Sequence, residues 1–364
     1  MKKIKVLAVA SVLFVSTLPL QAQLSSLEFL YGQTSDARIL LENYLRPYAN
    51  IMGANLNSGW YNTAKPHKLG GFDITATFSI AYAPTSALTY DLDNLGLNAS
   101  VEGATPIAPT AAGSMDVRPE LVFSKEVYNP VTDVAENYEL ARVTHPDGVG
   151  LDFLPLPMAQ ATIGLFKGTD LTLRYVPELR IGEYGRIGLF GIGGRHSVSQ
   201  WIPVLNKLKF LNIAVQGGYT KVTTAAQLNM EPVAEVPVPN SPNWDDQFLN
   251  MDISGWTLNL IASQSIPVIT VYEGIGYSSS LVDFAMLGHY PINAIVTTEG
   301  DDFGKTTYII EKDPIPEGDM RIENFKNLRL NAGVRIKLAL LTIHYDFTRT
   351  LYSTHTVGVG ISFR

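Results

Sequence analysis

Apolar and polar residues alternate along much of this chain. Phe72, Ile74, Ala76, Phe78, Ile80 and Tyr82 share one face of an extended segment, and Asp73, Thr75, Thr77, Ser79 and Ala81 share the other. Such alternation, with aromatics at both ends, fits a strand that crosses a bilayer with its apolar face outward. The end of the chain repeats it. Leu328, Leu330, Ala332, Val334, Ile336 and Leu338 alternate with Arg329, Asn331, Gly333, Arg335 and Lys337. A tight turn near Ala339 leads to Leu341, Ile343, Tyr345 and Phe347, which alternate with Thr342, His344, Asp346 and Thr348. The last segment sets Val357, Val359, Ile361 and Phe363 against Gly358, Gly360, Ser362 and Arg364.

Similar segments occupy 159–166, 171–176, 187–193, 211–220 and 256–263. Lys167-Gly168-Thr169-Asp170 and Ser265-Ile266-Pro267 read as short hairpin connections. Residues 83–117, 125–157, 222–252 and 295–325 are rich in Pro, Gly, Asn and acid, and read as long polar loops. Short turns at one end and long loops at the other belong to membrane barrels. A solvated β-sandwich would carry Lys and Glu on its polar faces, where this chain carries Thr, Ser, Asn and Gly. The fold class is therefore all-β: a transmembrane antiparallel β-barrel of about 14 strands.

Residues ahead of the first strand break the pattern. Leu41, Tyr44, Leu45, Tyr48 and Met52 recur at helical spacing, with Thr34, Ser35 and Asp36 as N-cap choices. Pro47 should break or kink this helix, and 54–59 reads as loop. The segment is a plug inside the barrel or a cap at its mouth. Its candidate plug residues are Asp36, Glu42, Tyr44, Pro47 and Tyr48.

The N-terminus adds a location. Lys2, Lys3 and Lys5 precede an apolar run from Val6 to Leu20, and Ala22 is a suitable small residue before a cut. That is a secretory signal peptide, too short to span a membrane. The expected divisions are 1–22 signal peptide, 23–66 plug segment and 67–364 barrel with long acidic loops. Loss of the three leader lysines takes the net charge from −7 to −10. No basic patch remains for nucleic acid. The chain has no cysteine, which excludes disulfides, thiol catalysis and Cys-ligated metals.

Two resemblances follow from these residues. The helix with Pro47, the Asn-rich loop and Trp60, then a long barrel ending in a short aromatic strand, resemble the long-chain fatty-acid transporter barrels of Gram-negative outer membranes. That resemblance implies 14 strands, an N-terminal hatch and hydrophobic cargo. Gly193-Gly194-Arg195-His196-Ser197-Val198-Ser199-Gln200-Trp201-Ile202-Pro203 and Gln216-Gly217-Gly218-Tyr219 are similar to a domain-of-unknown-function family of exported barrels, which implies the fold alone.

The candidate chemistry lies on the polar faces. Arg174, Arg329, Arg335 and Lys337 point to the lumen in this register, with His344 and Asp346 beside them. Inward cations can bias a pore to anions or carboxylates; equally, they can pair with Asp36 or Glu42 and hold a plug. His344 and Asp346 share a face, but no Gly-x-Ser-x-Gly elbow accompanies them. No catalytic, metal or cofactor site is read. The expected partners are outer-membrane lipid, the barrel-assembly machinery through the C-terminal strand, and a small hydrophobic ligand. Outer-membrane channel or transporter is the leading function, and a sealed barrel with partner-binding loops the alternative.

Overall fold

The computed structural model describes residues 34–129, 132–181, 185–203, 208, 210–298 and 300–363. The leader and its cut at Ala22 lie outside the described residues. Helix α1 spans Thr34–Leu56 and is followed by β1 (Phe72–Tyr82). Next come β2 (Thr89–Asp91), β3 (Ser100–Glu102), β4 (Ile107–Pro109), β5 (Glu120–Asn129) and β6 (Val134–Thr144). Then follow β7 (Phe153–Gly164), β8 (Thr169–Ile181), β9 (Gly185–Ser197), β10 (Leu211–Gln227), β11 (Phe248–Ser265) and β12 (Ile269–Leu287). The chain ends with β13 (His289–Ile295), β14 (Thr306–Lys312), β15 (Ile315–Leu338), β16 (Leu341–Arg349) and β17 (Thr354–Phe363).

Ten strands close a barrel in the order β1-β17-β16-β15-β12-β11-β10-β9-β8-β7. Closure pairs Phe72 with Phe363, whose rings lie 5.8 Å apart. The count falls short of the 14 expected because, of the weak segments within 85–125 and 282–312, only 282–287 joins the wall, as the end of β12. The rest, together with β6, form β2–β4, β3–β5–β6 and β13–β14, three small sheets outside the barrel. The tight turns lie at one end, where β1 starts and β17 stops. Lys167 and Gly168 both have positive φ, which lets a two-residue turn follow the strand twist. Ala339 turns β15 into β16 in the same region of φ.

The wall is uneven because β10, β11, β12 and β15 run well past their neighbours at the loop end. In their lower parts Leu258, Leu260, Ile275, Leu328 and Leu330 face outward, and Thr257, Asn259, Ser278, Ser280 and Asn331 face inward. Above the outward aromatics Tyr219, Trp256 and Tyr277 the pattern inverts. Ile253, Val282, Phe284, Met320 and Ile322 turn inward and are buried. Lys221–Asp252 and Arg321–Asp283 ion pairs, 2.7 and 3.0 Å, cover the outside. The inverted stretches are the reason the strands outrun the predicted loops 222–252 and 295–325.

These inward apolar faces build the main core around α1. Leu40, Leu41, Tyr44, Leu45, Tyr48 and Ile51 pack there with Leu121, Phe123, Leu249 and Met286. The helix contacts β1 and β7 on one side and β11, β12 and β15 on the other, so it spans the barrel. It runs unbroken through Pro47 to Leu56, contrary to the expected break, and the loop expected at 54–59 begins only at Asn57. Proline removes one helical hydrogen bond; burial on several faces holds the helix across it.

His145 closes this loop-end core. It is fully buried, with Nε2 2.6 Å from the Tyr90 hydroxyl and Nδ1 2.7 Å from the Pro146 carbonyl. Burial lowers its pKa from 6.5 to about 4. The native state therefore takes up the proton later than the unfolded chain does, and stability falls as pH drops from 6.5 towards 4. The loss attributable to this group is about 3 kcal/mol at the bottom of that window. His145→Gln should flatten the dependence, read as protease resistance of the loop end between pH 7 and 4.

Candidate functional site

The C-terminal end of α1 points into the lumen and has no basic residue in its last turn. The last carbonyls of a helix lack partners and carry the negative end of its dipole. Here the wall supplies the donors. Arg174, fully buried, donates to the carbonyls of Leu56 at 2.8 Å and Ser58 at 2.7 Å, and to Gln160 Oε1 at 3.0 Å. Arg329 donates to the carbonyl of Asn57 and, at 3.0 Å, to Thr257 Oγ1. Gly59, three residues past the helix end, then turns the chain at φ +71°, the left-handed region that suits glycine.

From Gly59 the chain descends the lumen to the turn end. The Trp60 ring stacks on Arg174, whose guanidinium carbon lies 3.6 Å from the ring centroid. The adjoining strands β9 and β10 receive Trp60 because two inward positions lack side chains. A Cβ at Gly193 would stand 2.6 Å from the indole, and one at Gly218 2.5 Å. Tyr61 meets Tyr272 edge-on at 6.1 Å. Lower down, Arg195 donates to the carbonyl of Thr63 and pairs with Asp170. Asp170 also accepts from the backbone N–H of His67 at 2.9 Å and sits 3.3 Å from its Nδ1. Ser263 Oγ accepts from the N–H of Ala64 at 2.9 Å. What remains of the lumen around Asn57 and around Trp60 is two cavities of about 20 Å³, each with room for about one water.

The predicted lumen residues all lie on the inner wall, in two groups. Arg174 and Arg329 hold the helix end. Asp346 accepts from Asn331 Nδ2 at 2.9 Å and from the Tyr272 hydroxyl at 3.2 Å. Arg335 lies 3.9 Å from Asp73, and Lys337 donates to the Ser362 carbonyl at 3.1 Å. His344 is buried, and among the described residues neither ring nitrogen is hydrogen-bonded. The predicted pairing of these cations with Asp36 or Glu42 does not occur. Asp36 sits at the loop end and accepts from Ala99 N and Asn98 Nδ2, both at 2.8 Å. Glu42 pairs with Arg46 one turn along, at 2.6 Å. Tyr44 and Tyr48 donate to the carbonyls of Asp147 and Leu151 at 2.7 and 3.1 Å, so they tie the helix to the loop region. Burial raises the pKa of both phenols.

Trp60, His67, Asp170 and Gln160 were not singled out as site residues. The available signal was an indole just ahead of the first strand, with Gly-Gly pairs at 193–194 and 217–218. Among the described residues no three His, Asp or Glu side chains converge at metal-binding spacing.

The sequence matches the family described as "Family of unknown function (DUF6588)" over residues 1–363. The chain belongs to that family. No curated protein matches it. Several solved structures are similar at a low level. The translocator domain of autotransporter NalP from Neisseria meningitidis shares 10% identity over 82% of this chain and 89% of that chain, with a TM-score of 0.27. The outer membrane protease OmpT from Escherichia coli shares 5% over 84% and 99%, at 0.29. A Pseudomonas aeruginosa FadL homologue shares 9% over 88% and 97%, at 0.23. None of these scores carries a strand count, a lumen or a function across.

In this DUF6588 chain the two glycine-rich stretches acquire a physical reason. Gly193 and Gly218 seat Trp60, and Arg195 holds Thr63. His196 serves the turn end instead, bonded to Thr169 Oγ1 at 2.8 Å and accepting from Trp201 Nε1 at 3.0 Å. Gly218→Ala should destabilise the barrel by about 1–3 kcal/mol, because a methyl in a packed site forces its neighbours aside. Trp60→Ala in the same chain should remove most of that penalty. Thermal unfolding of the four proteins in detergent, arranged as a double-mutant cycle, measures the coupling.

Proposed function

We propose that the chain is an outer-membrane β-barrel, exported by its leader, whose lumen is sealed by residues 34–67 and whose folded loop end is the working face. The observation that carries this reading is the pair of wall arginines bonded to main-chain carbonyls at the end of α1. A guanidinium buried with no carboxylate partner among the described residues needs acceptors for its donors, and three main-chain carbonyls of the segment supply them. Withdrawing α1 would also expose six large apolar side chains, each worth about 1.5–3 kcal/mol of burial. Binding of a small solute does not supply that much. The outward apolar wall, with Tyr175, Phe190, Tyr219, Trp256 and Tyr277 along its upper level, supports a lipid setting.

A second reading is passage of small hydrophobic or amphipathic molecules. It is favoured by the two small cavities and by buried polar atoms along the path that have no hydrogen bond among the described residues, namely Asn57 Oδ1, Tyr61 Oη and Gln216 Nε2. In that case only the stretch from Asn57 to His67 moves, and α1 stays in place.

Planar-bilayer recording separates the readings. The full-length protein is expected to give no steady conductance, and Arg174→Ala with Arg329→Ala should produce openings by freeing the helix end. Steady conductance of the unaltered protein would overturn the sealed reading in favour of transport. The lipid setting has its own test. Val359 is half exposed on the outward face between Val357 and Ile361. Arginine there should cost about 2–4 kcal/mol if it lies near the bilayer midplane, measured as the folded fraction in vesicles across a urea series.

A further inference from the structure

The outward wall carries one charge where lipid is expected. On β12 the outward residues run Ile269, Val271, Glu273, Ile275 and Tyr277, so Glu273 is at their middle. Among the described residues it is the only Asp, Glu, Lys or Arg facing outward between the turn-end rim and the upper aromatic level. It makes no ion pair and no side-chain hydrogen bond among them. An ionisable group at such a depth is costly, and where it persists it marks a site.

The surroundings form a depression. Directly opposite Glu273 stand Ala262 on β11 and Ala332 on β15. One row nearer the loop end come Leu260, Ile275 and Leu330, whose larger side chains stand up as a rim. The resulting cavity is about 390 Å³ and opens on the outside of the wall, with Glu273 among its lining residues. That volume lies in the range of small-molecule sites.

We propose that this depression binds a lipophilic amine from the bilayer, with the amine on the Glu273 carboxyl and the aliphatic body against Leu260, Ile275 and Leu330. Charge complementarity selects the occupant. A second copy of this chain offers, among its described residues, no Lys or Arg on its outward face at this level. Phospholipid headgroups lie at the aromatic levels, not at the middle of the apolar band. An aliphatic amine brings both the missing positive group and a body that fits the rim.

The proposal rests on the wall being lipid-facing, and the test separates the two. The protein is placed in phosphatidylcholine nanodiscs and titrated with radiolabelled dodecylamine, with empty discs as background and dodecanol as the neutral control. Saturable dodecylamine binding is expected, weakened at least tenfold by Glu273→Gln and also by Ala332→Leu, which fills the depression and leaves the carboxyl in place. Dodecanol binding should not distinguish wild type from Glu273→Gln. Equal amine affinity in wild type and Glu273→Gln overturns the site. So does a wild-type dimer that Glu273→Gln dissolves, which would make a second copy the occupant. Failure of the wild type to enter the discs at all overturns the lipid-facing wall, and the site with it.

Discussion

The end of α1 inside the lumen is the interaction on which the rest of the structure depends. Carbonyls at the end of a helix need donors, and so do guanidinium groups on an inner wall. Arg174 and Arg329 meet both needs at once through Leu56, Asn57 and Ser58. Lysine could not substitute for Arg174, since the planar fork serves two carbonyls and Gln160 while its face lies on Trp60. A barrel of about eight strands is nearly filled by its own side chains. Ten strands leave room for one extended segment beside them, and Asn57 to His67 takes it.

The inversion of the wall follows from what surrounds it. Where the outside is apolar, polar side chains collect inside and are satisfied by the descending segment. Where the outside carries Lys221, Asp252, Asp283 and Arg321, the inside is free to be apolar and becomes the core around α1. One strand such as β12 thus presents an apolar and then a polar outer face along its length, with Ser278 and Ser280 inward below Val282 and Phe284. The small sheets β2–β4 and β3–β5–β6 cover the helix where the short side of the wall stops.

Much of this was legible in the sequence. Strict alternation located β1, β16 and β17 nearly to the residue, and it put Arg174, Arg329, Arg335, Lys337, His344 and Asp346 on the inner face. The strand number was not legible, because alternation says which face a residue takes and not whether a strand joins the wall or a small sheet beyond it. The tall strands were cut short for a related reason: their apolar face changes sides at Ser280–Val282, and a fixed rule of apolar outward reads the continuation as loop. Pro47 was misread because the penalty of one lost hydrogen bond was weighed without the burial of Leu41, Tyr44 and Tyr48. The partners of the lumen cations were missed because pattern reading pairs charges with charges, whereas here main-chain carbonyls accept from them.

The segment is held at both ends. At the top, Arg174 and Arg329 fix the helix terminus; at the bottom, Asp170 joins His67 to Arg195, and Arg195 reaches the Thr63 carbonyl. Between them Trp60 and Tyr61 fill the spaces above glycines of β9, β10 and β12. Loss of one arginine leaves the other set of contacts intact. The upper end draws on groups from well-separated strands, β8 and β15. These contacts therefore form only once the wall has curved around the segment, which ties closure of the barrel to filling of its lumen.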